Sequence, residues 1–86
     1  MNKIDVYTSA TCPYCIKAKK LLKSLNLTYI EHNIDDNFEE ITKELSEKFQ
    51  RQIMTVPQII INNHYVGGYD NLESIYKSGK LKEIIE

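Results

Sequence analysis

The sequence feature that most constrains this chain is the stretch Thr11-Cys12-Pro13-Tyr14-Cys15, which contains both of its cysteines. It lies between a strand-like stretch and a helix-like one, so the pair is expected at a helix N-terminus, where unpaired N–H groups and the helix dipole favour a thiolate. Pro13 suits the first helical turn, which needs no N–H from that residue. We therefore predict that Cys12 is the attacking thiol and that Cys15, one turn later, resolves the product by closing a disulfide.

Two other uses of a Cys-x-x-Cys pair fit this sequence less well. A tetrahedral zinc site needs four ligands, and only His32 and His64 remain as partners, at spacings that zinc fingers do not use. A single pair beside a βαβ pattern is typical of a redox motif instead. A permanent disulfide across so short a loop would contribute little stability. No metal site is therefore predicted, and both histidines are expected to be ordinary strand or turn residues.

Length and charge exclude several classes of protein. The 86 residues, 42% of them hydrophobic, are expected to form one domain spanning residues 1–86. A formal net charge of −1 gives no support for nucleic-acid binding. The N-terminal stretch lacks the apolar run of a secretory signal, and no run is long enough to cross a membrane. We expect a cytoplasmic protein, in which a Cys-x-x-Cys pair is more often catalytic or metal-binding than a permanent disulfide.

Hydrophobic periodicity predicts alternating strands and helices in the first half of the chain. Ile4 and Val6 recur with a period of two and predict a strand, and a helix follows from Pro13 to about Leu25. A second strand over 28–34 completes a parallel βαβ unit. We expect Asp35, Asp36 and Asn37 to cap a second helix. The apolar residues on the buried face of that helix are Phe38, Ile41, Leu45 and Phe49.

The second half of the chain predicts a β-hairpin followed by a helix. Strands over 58–61 and 64–67 flank the turn pair Asn62-Asn63. A third helix ends at Gly79, and 81–85 adds a final helical turn. The order βαβ-α-ββα predicts an α/β fold with a mixed four-stranded sheet flanked by helices on both faces, which is thioredoxin-like topology.

Three motifs now define a resemblance that runs over nearly the whole chain. The first is the run from Cys12 to Leu22, with its Ala18 and paired leucines after the two cysteines. The second is Thr55-Val56-Pro57, and the third is Gly67-Gly68-Tyr69-Asp70-Asn71-Leu72. In this order and spacing they make the chain resemble the dithiol glutaredoxins of the thioredoxin-like superfamily.

The resemblance implies a glutathione site beside the dithiol. Thr55-Val56-Pro57 matches a loop with a cis proline, which would direct the backbone N–H and C=O of Val56 towards the dithiol. A peptide-like substrate would add there as an extra strand. From spacing alone, Pro57 could equally begin the third strand. Tyr14 is implied to flank the groove in which glutathione lies.

The glycine pair implies the other end of that site. Gly67 and Gly68 let the backbone approach a ligand closely, and the helix N–H groups that follow form an anion site. In glutaredoxins it binds the γ-glutamyl carboxylate of glutathione, and the neighbouring acid takes the amino group. An Asp or Asn that merely caps the helix is the alternative. The residues implied to bind glutathione are Tyr14, Thr55, Val56, Pro57, Gly68, Tyr69, Asp70 and Asn71.

The chain departs from the family pattern at two positions. Many glutaredoxins carry a lysine three residues before the first cysteine, where this chain has Ser9, and a second acid where it has Asn71. Arg51 or Gln52, in the segment before Thr55, is the candidate to replace the missing cation at the glycyl carboxylate. Loss of one exposed charge contact costs on the order of 1 kcal/mol, so glutathione binding is expected to be weaker but present.

The implied activity is reduction of glutathione mixed disulfides and of protein disulfides, with Cys12 as nucleophile and Cys15 as resolving cysteine. Glutathione is the co-substrate, and no tightly bound cofactor is expected. The expected partners are glutathionylated or disulfide-bonded proteins and, indirectly, glutathione reductase. The chain is expected to be a monomer that binds neither nucleic acid nor membranes.

Two alternatives keep the fold and change the function. Ser9 and Asn71 slightly favour a redoxin that thioredoxin reductase reduces, whereas the run Gly67-Gly68-Tyr69-Asp70 favours glutathione more. The other alternative is a dimer that binds an iron–sulfur cluster through Cys12 and two glutathiones. Pro13 and Tyr14 count against it, since cluster-binding relatives more often carry a smaller, single-cysteine motif.

Overall fold

The computed structural model describes residues 2–85. The helices and strands follow the predicted order. Strand β2 is shorter than the predicted range 28–34, since it spans only Ile30–Asn33. The elements are β1 (Ile4–Thr8), α1 (Pro13–Ser24), β2 (Ile30–Asn33), α2 (Phe38–Phe49), β3 (Gln58–Ile61), β4 (His64–Gly67), α3 (Tyr69–Lys77) and α4 (Leu81–Ile84).

The four strands form one mixed sheet in the order β2-β1-β3-β4. β1 runs parallel to β2 and antiparallel to β3, which pairs antiparallel with β4. β1 and β3 are therefore central, and all four residues of β3 are buried. The loop that carries the two cysteines leaves the C-terminal end of β1, and the Thr55-Val56-Pro57 loop leads into β3. Because β1 and β3 are antiparallel neighbours, the C-terminal end of β1 lies beside the N-terminal end of β3. The topology thus brings both loops to the same end of the central strands.

Helices cover both faces of the sheet, as predicted. Ile59 and Ile61 belong to a core with Leu22 of α1 and Leu72 of α3. Ile60, between them in sequence, belongs to a second core with Leu45 of α2. Successive side chains of a strand point to opposite faces, so the two cores lie on opposite sides of the sheet.

The buried face of α2 differs from the predicted one. Leu45 is buried, but Phe38, Ile41 and Phe49 are only half-buried, and Thr42 is buried in their place. The Thr42 hydroxyl donates to the Phe38 carbonyl at 2.8 Å, so its polar group is satisfied inside the helix. Hydrophobic spacing located the helix correctly, but it did not predict that a threonine with a satisfied hydroxyl would be buried.

Candidate active site

Cys12 is the N-cap residue of α1, and Pro13 occupies the first turn, as the sequence predicted. The backbone N–H of Cys15 donates to the Cys12 sulfur at 3.1 Å. The sulfur therefore takes the place that a serine or aspartate oxygen usually fills at a helix N-terminus. When the pair is reduced, the same N–H and the helix dipole stabilise a thiolate at this position over a thiol.

The two cysteines differ in exposure. Cys12 and Cys15 form a disulfide, with their Cα atoms 5.2 Å apart. Cys12 is half-buried at the surface, whereas Cys15 is 1% exposed. An incoming disulfide can therefore reach Cys12 from solvent, and Cys15 is accessible chiefly to Cys12. This asymmetry fits an attacking and a resolving thiol.

A groove of about 360 Å³ lies beside the dithiol. The rings of Tyr14 and Tyr69 face each other across it with centroids 6.2 Å apart. The Tyr69 hydroxyl donates to Glu73 at 2.9 Å, and this hydrogen bond raises the pKa of Tyr69 and lowers that of Glu73. The groove is lined by all eight of the positions that the resemblance implied, namely Tyr14, Thr55, Val56, Pro57, Gly68, Tyr69, Asp70 and Asn71.

The loop before β3 contains the cis peptide bond that the resemblance implied, between Val56 and Pro57. The side chain of Gln58 anchors this loop, since its Nε2 donates to the Thr55 carbonyl at 2.9 Å and lies 3.2 Å from the Thr55 hydroxyl. Gln58 is 4% exposed, and its Oε1 accepts from the Tyr65 hydroxyl at 2.7 Å. The sequence analysis did not predict the contact between Gln58 and Tyr65. The signal available was a lone amide in an otherwise β-branched strand.

The two glycines have different roles. Gly67 has φ +108°, and a Cβ there would lie 2.5 Å from Asn71 Nδ2, so only glycine fits without strain. Gly68 has φ −85° and is the N-cap residue of α3, with no side-chain capping bond. The alternative in which Asp70 or Asn71 caps this helix therefore does not apply. The first N–H groups of α3 are left without a side-chain acceptor, which is the geometry of an anion site.

Ser9 occupies the position where the resemblance predicts a lysine, and it contacts an acid. Its hydroxyl donates to Asp35 Oδ1 at 2.5 Å, and the Ala10 N–H donates to Asp35 Oδ2 at 3.0 Å. These two hydrogen bonds lower the pKa of Asp35. The prediction that Asp35 caps α2 is wrong, because its carboxylate instead fixes the loop between β1 and Cys12. Asn37 is the N-cap residue of α2, but its side chain makes no capping bond.

Arg51 and Gln52 lie outside the residues that line the groove. The guanidinium carbon of Arg51 lies 5.0 Å from the centroid of the Tyr65 ring, and the Gln52 amide contacts the Met54 sulfur at 3.3 Å. Ile53, the next residue, is buried, whereas Arg51, Gln52 and Met54 are exposed. Their contribution to glutathione binding stays a prediction.

The two histidines are not among the residues that line the groove. His32 Nε2 lies 2.8 Å from Asp5 Oδ1, and its ring stacks on Tyr7 with centroids 4.7 Å apart. His64 is exposed at the start of β4. Within residues 2–85, no three His, Cys, Asp or Glu side chains are grouped as metal ligands would be. Likewise, no helix in that range has the length and apolar character needed to span a membrane.

Comparison with known proteins matches residues 4–66 to the family model described as glutaredoxin. The chain is 43% identical over 89 residues to glutaredoxin 1 of Rickettsia prowazekii, covering 100% of this chain and 90% of that protein. The solution structure of the dithiolic glutaredoxin 2-C-Grx1 from Trypanosoma brucei brucei has a TM-score of 0.84 and 34% identity, over 99% of this chain and 88% of that one. A buckwheat glutaredoxin–glutathione complex has a TM-score of 0.83 and 27% identity, over 98% of this chain and 76% of that one.

These matches confirm the thioredoxin-like fold and the resemblance drawn from the three motifs. The family and the Cys12–Cys15 pair together support a thiol–disulfide oxidoreductase role for this protein. The chain belongs to the glutaredoxin family.

Proposed function

We propose that this protein is a glutathione-dependent oxidoreductase that reduces glutathione mixed disulfides and protein disulfides. The observation that carries the proposal is the groove beside Cys12, because Val56, whose backbone can pair with a peptide, and the N-terminus of α3, which has no side-chain cap, both line it. Glutathione is a tripeptide thiol with a free carboxylate at each end, so it can use both features. The related buckwheat protein, whose crystal structure is a complex with glutathione, supports the same ligand class.

The first step is attack by the Cys12 thiolate on the glutathione sulfur of a mixed disulfide. The old S–S bond breaks, a new bond joins Cys12 to glutathione, and the substrate thiolate leaves and takes a proton from solvent. A second glutathione thiolate then attacks the bound glutathione sulfur. Oxidised glutathione leaves, and Cys12 returns to its thiolate at the N-terminus of α1, where the Cys15 N–H stabilises it.

With a protein disulfide, Cys15 completes the reaction. Cys12 attacks one sulfur of the substrate and forms a mixed disulfide, and the Cys15 thiolate then attacks the Cys12 sulfur. The reduced protein leaves, and the Cys12–Cys15 disulfide forms. This is the disulfide present in the structure. Two glutathione molecules supply the two electrons that reduce it again.

In the bound complex, α3 receives the γ-glutamyl carboxylate at its first N–H groups, and the Asp70 side chain pairs with the neighbouring amino group. The cysteinyl backbone of glutathione pairs with that of Val56 as a short added strand. Tyr14 and Tyr69 border the sulfur. The position of Ser9 supplies no cation, so the glycyl carboxylate contributes least to binding. We expect a higher KM for glutathione than a lysine at that position would give.

The experiment measures NADPH consumption with glutathione, glutathione reductase and a glutathionylated peptide. A parallel assay supplies thioredoxin reductase and no glutathione. Turnover only in the first assay supports the proposal. Turnover only in the second contradicts it and makes the protein a redoxin fed by thioredoxin reductase, the function that Ser9 and Asn71 would favour.

A further inference from the structure

We propose that Gln58 is a positioning residue for the substrate loop Thr55-Val56-Pro57, and that the Tyr65 hydroxyl holds the Gln58 side chain in the position from which it acts. Gln58 is the first residue of β3, and Tyr65 lies on the neighbouring strand β4. The statement that this loop binds glutathione rests on the proposed function, but the positioning of the loop by Gln58 is a property of the free protein.

The hydrogen bonds leave the Gln58 amide one orientation. The Thr55 carbonyl can only accept, so the amide nitrogen must face it, at the 2.9 Å observed. The amide oxygen must then face Tyr65, whose hydroxyl donates to it at 2.7 Å. In a flipped amide, the Gln58 oxygen would face the Thr55 carbonyl oxygen with no hydrogen between them. The Thr55 carbonyl therefore sets the orientation of the amide, and the Tyr65 hydroxyl holds the amide oxygen in place by donating to it.

Tyr65 is well placed to remain a donor. Its ring packs against the Phe49 ring with centroids 5.3 Å apart. The guanidinium carbon of Arg51, on the loop after α2, lies 5.0 Å from the centroid of the Tyr65 ring. Burial raises the pKa of Tyr65, and nearby Arg51 only partly opposes that rise. The hydroxyl is thus protonated throughout the pH range in which a glutaredoxin dithiol operates.

The substrate loop depends on this contact because it has little regular structure of its own. No helix or strand includes residues 50–57, and among residues 2–85 the hydrogen bonds described for Thr55 come from Gln58. Thr55 itself is exposed, so burial does not fix it, whereas Gln58 is 4% exposed and belongs to the central strand β3. The Gln58 amide therefore ties the Thr55 backbone to the first residue of β3.

Two variants test this inference. Gln58→Leu removes the hydrogen bonds to Thr55 and to Tyr65, and Tyr65→Phe removes only the hydroxyl that holds the amide oxygen. We expect the KM for a glutathionylated peptide to rise about tenfold in the first and about threefold in the second, since a hydrogen bond of this kind contributes about a factor of five. The kcat, and the rate at which iodoacetamide alkylates reduced Cys12, should stay within twofold, because neither variant touches the dithiol.

Tyr7→Phe is the matched control. Tyr7 packs against the same core as Tyr65, on the α2 side of the sheet, and no hydrogen bond of its hydroxyl is described within residues 2–85. Its KM should equal that of the unmodified protein. A rise in Tyr7→Phe equal to that in Tyr65→Phe would overturn the inference, since it would show that any lost hydroxyl in this core has the same effect.

A readout without glutathione separates this inference from the proposed function. The NMR order parameter of the Val56 backbone N–H should fall in Tyr65→Phe, but stay unchanged at Val6 in the middle of β1. The double variant should lower it no further than Gln58→Leu alone, because Tyr65 acts through Gln58. Additive effects, or an unchanged order parameter at Val56, would overturn the positioning role even if the enzyme uses glutathione. A lowered order parameter in a protein that glutathione does not reduce would support the positioning role and reject the proposed function.

Discussion

Two helix N-termini border the groove, and they differ in how their unpaired N–H groups are used. At α1, the Cys12 sulfur accepts the N–H of Cys15. At α3, the N-cap residue is Gly68, which has no side chain to accept anything. The first terminus stabilises a charge that belongs to the protein, and the second is open to a charge that a ligand brings. The difference shows how one structural element serves both reactivity and binding, according to the residue at the N-cap.

The largest expected effect is at the N-terminus of α1, where the Cys12 sulfur accepts the Cys15 N–H. Cys12→Ser should abolish turnover of both substrate classes, because a serine hydroxyl is not ionised at neutral pH and cannot replace the thiolate. Cys15→Ser should keep the reduction of glutathione mixed disulfides and lose that of protein disulfides. The measurement is NADPH consumption with a glutathionylated peptide and with a disulfide-bonded protein. Equal loss in the two variants would contradict the division of roles.

The next effect concerns the backbone that leads into the open terminus. Gly67→Ala should lower the free energy of unfolding by about 2 kcal/mol, because alanine is strained at a positive φ and its Cβ would clash with Asn71. Gly68→Ala is the matched control, since φ is negative there and the nearest atom to a new Cβ, the Pro57 oxygen, is 3.7 Å away. It should cost about 1 kcal/mol or less. Urea denaturation measures both, and equal losses would refute the assignment.

A substitution at the open terminus tests the comparison directly. Gly68→Ser supplies a hydroxyl that can accept from the first turn of α3, as Cys12 does at α1. Relative to Gly68→Ala, it should raise the free energy of unfolding by about 1 kcal/mol and also raise the KM for glutathione about threefold, because the hydroxyl competes with the carboxylate. A serine variant with higher stability and an unchanged KM would show that no carboxylate binds at this terminus.

The smallest effect concerns the loop that enters α1. The hydrogen bonds from Ser9 and Ala10 lower the pKa of Asp35 in the folded protein, so they stabilise the fold above the unfolded pKa of about 3.9 and lose that effect as the pH falls through the folded value. Asp35→Asn should therefore lower Tm slightly at pH 7, and the difference should begin to shrink near pH 4 and vanish once the pH is below the lowered pKa of Asp35 in the folded protein.

The control for that variant is Asp36→Asn, at an exposed neighbour. It should leave Tm unchanged at both pH values. The measurement is thermal unfolding of the three proteins side by side. A Tm difference for Asp35→Asn that persists at low pH would show that its carboxylate charge is not what fixes the loop.

The features that the sequence predicted correctly depend on neighbouring residues. The order of helices and strands follows from hydrophobic spacing within each segment. The site of Cys12 follows from Pro13 and from the periodicity of α1. The positions that line the groove came from the resemblance, and their convergence depends on the antiparallel pairing of β1 with β3.

The features that the sequence did not predict depend on residues far apart in the chain. Asp35 was expected at the N-terminus of α2, but it bonds to Ser9, 26 positions earlier. Arg51 lies over the ring of Tyr65, a contact that the sequence did not predict. A polar side chain has several partners within reach of its length, and no local pattern ranks them.

The sequence by itself determined the dithiol at a helix N-terminus, the order of the elements and the family. The first two depend on short-range stereochemistry: the fixed φ of proline and the period of a helix or a strand. The family follows from the resemblance that the three motifs carry. Tertiary structure alone decided which polar groups meet, as in the contact of Gln58 with Thr55 and Tyr65. A hydrogen bond forms only after packing has brought donor and acceptor within about 3 Å, and the packing of the whole sheet sets that distance.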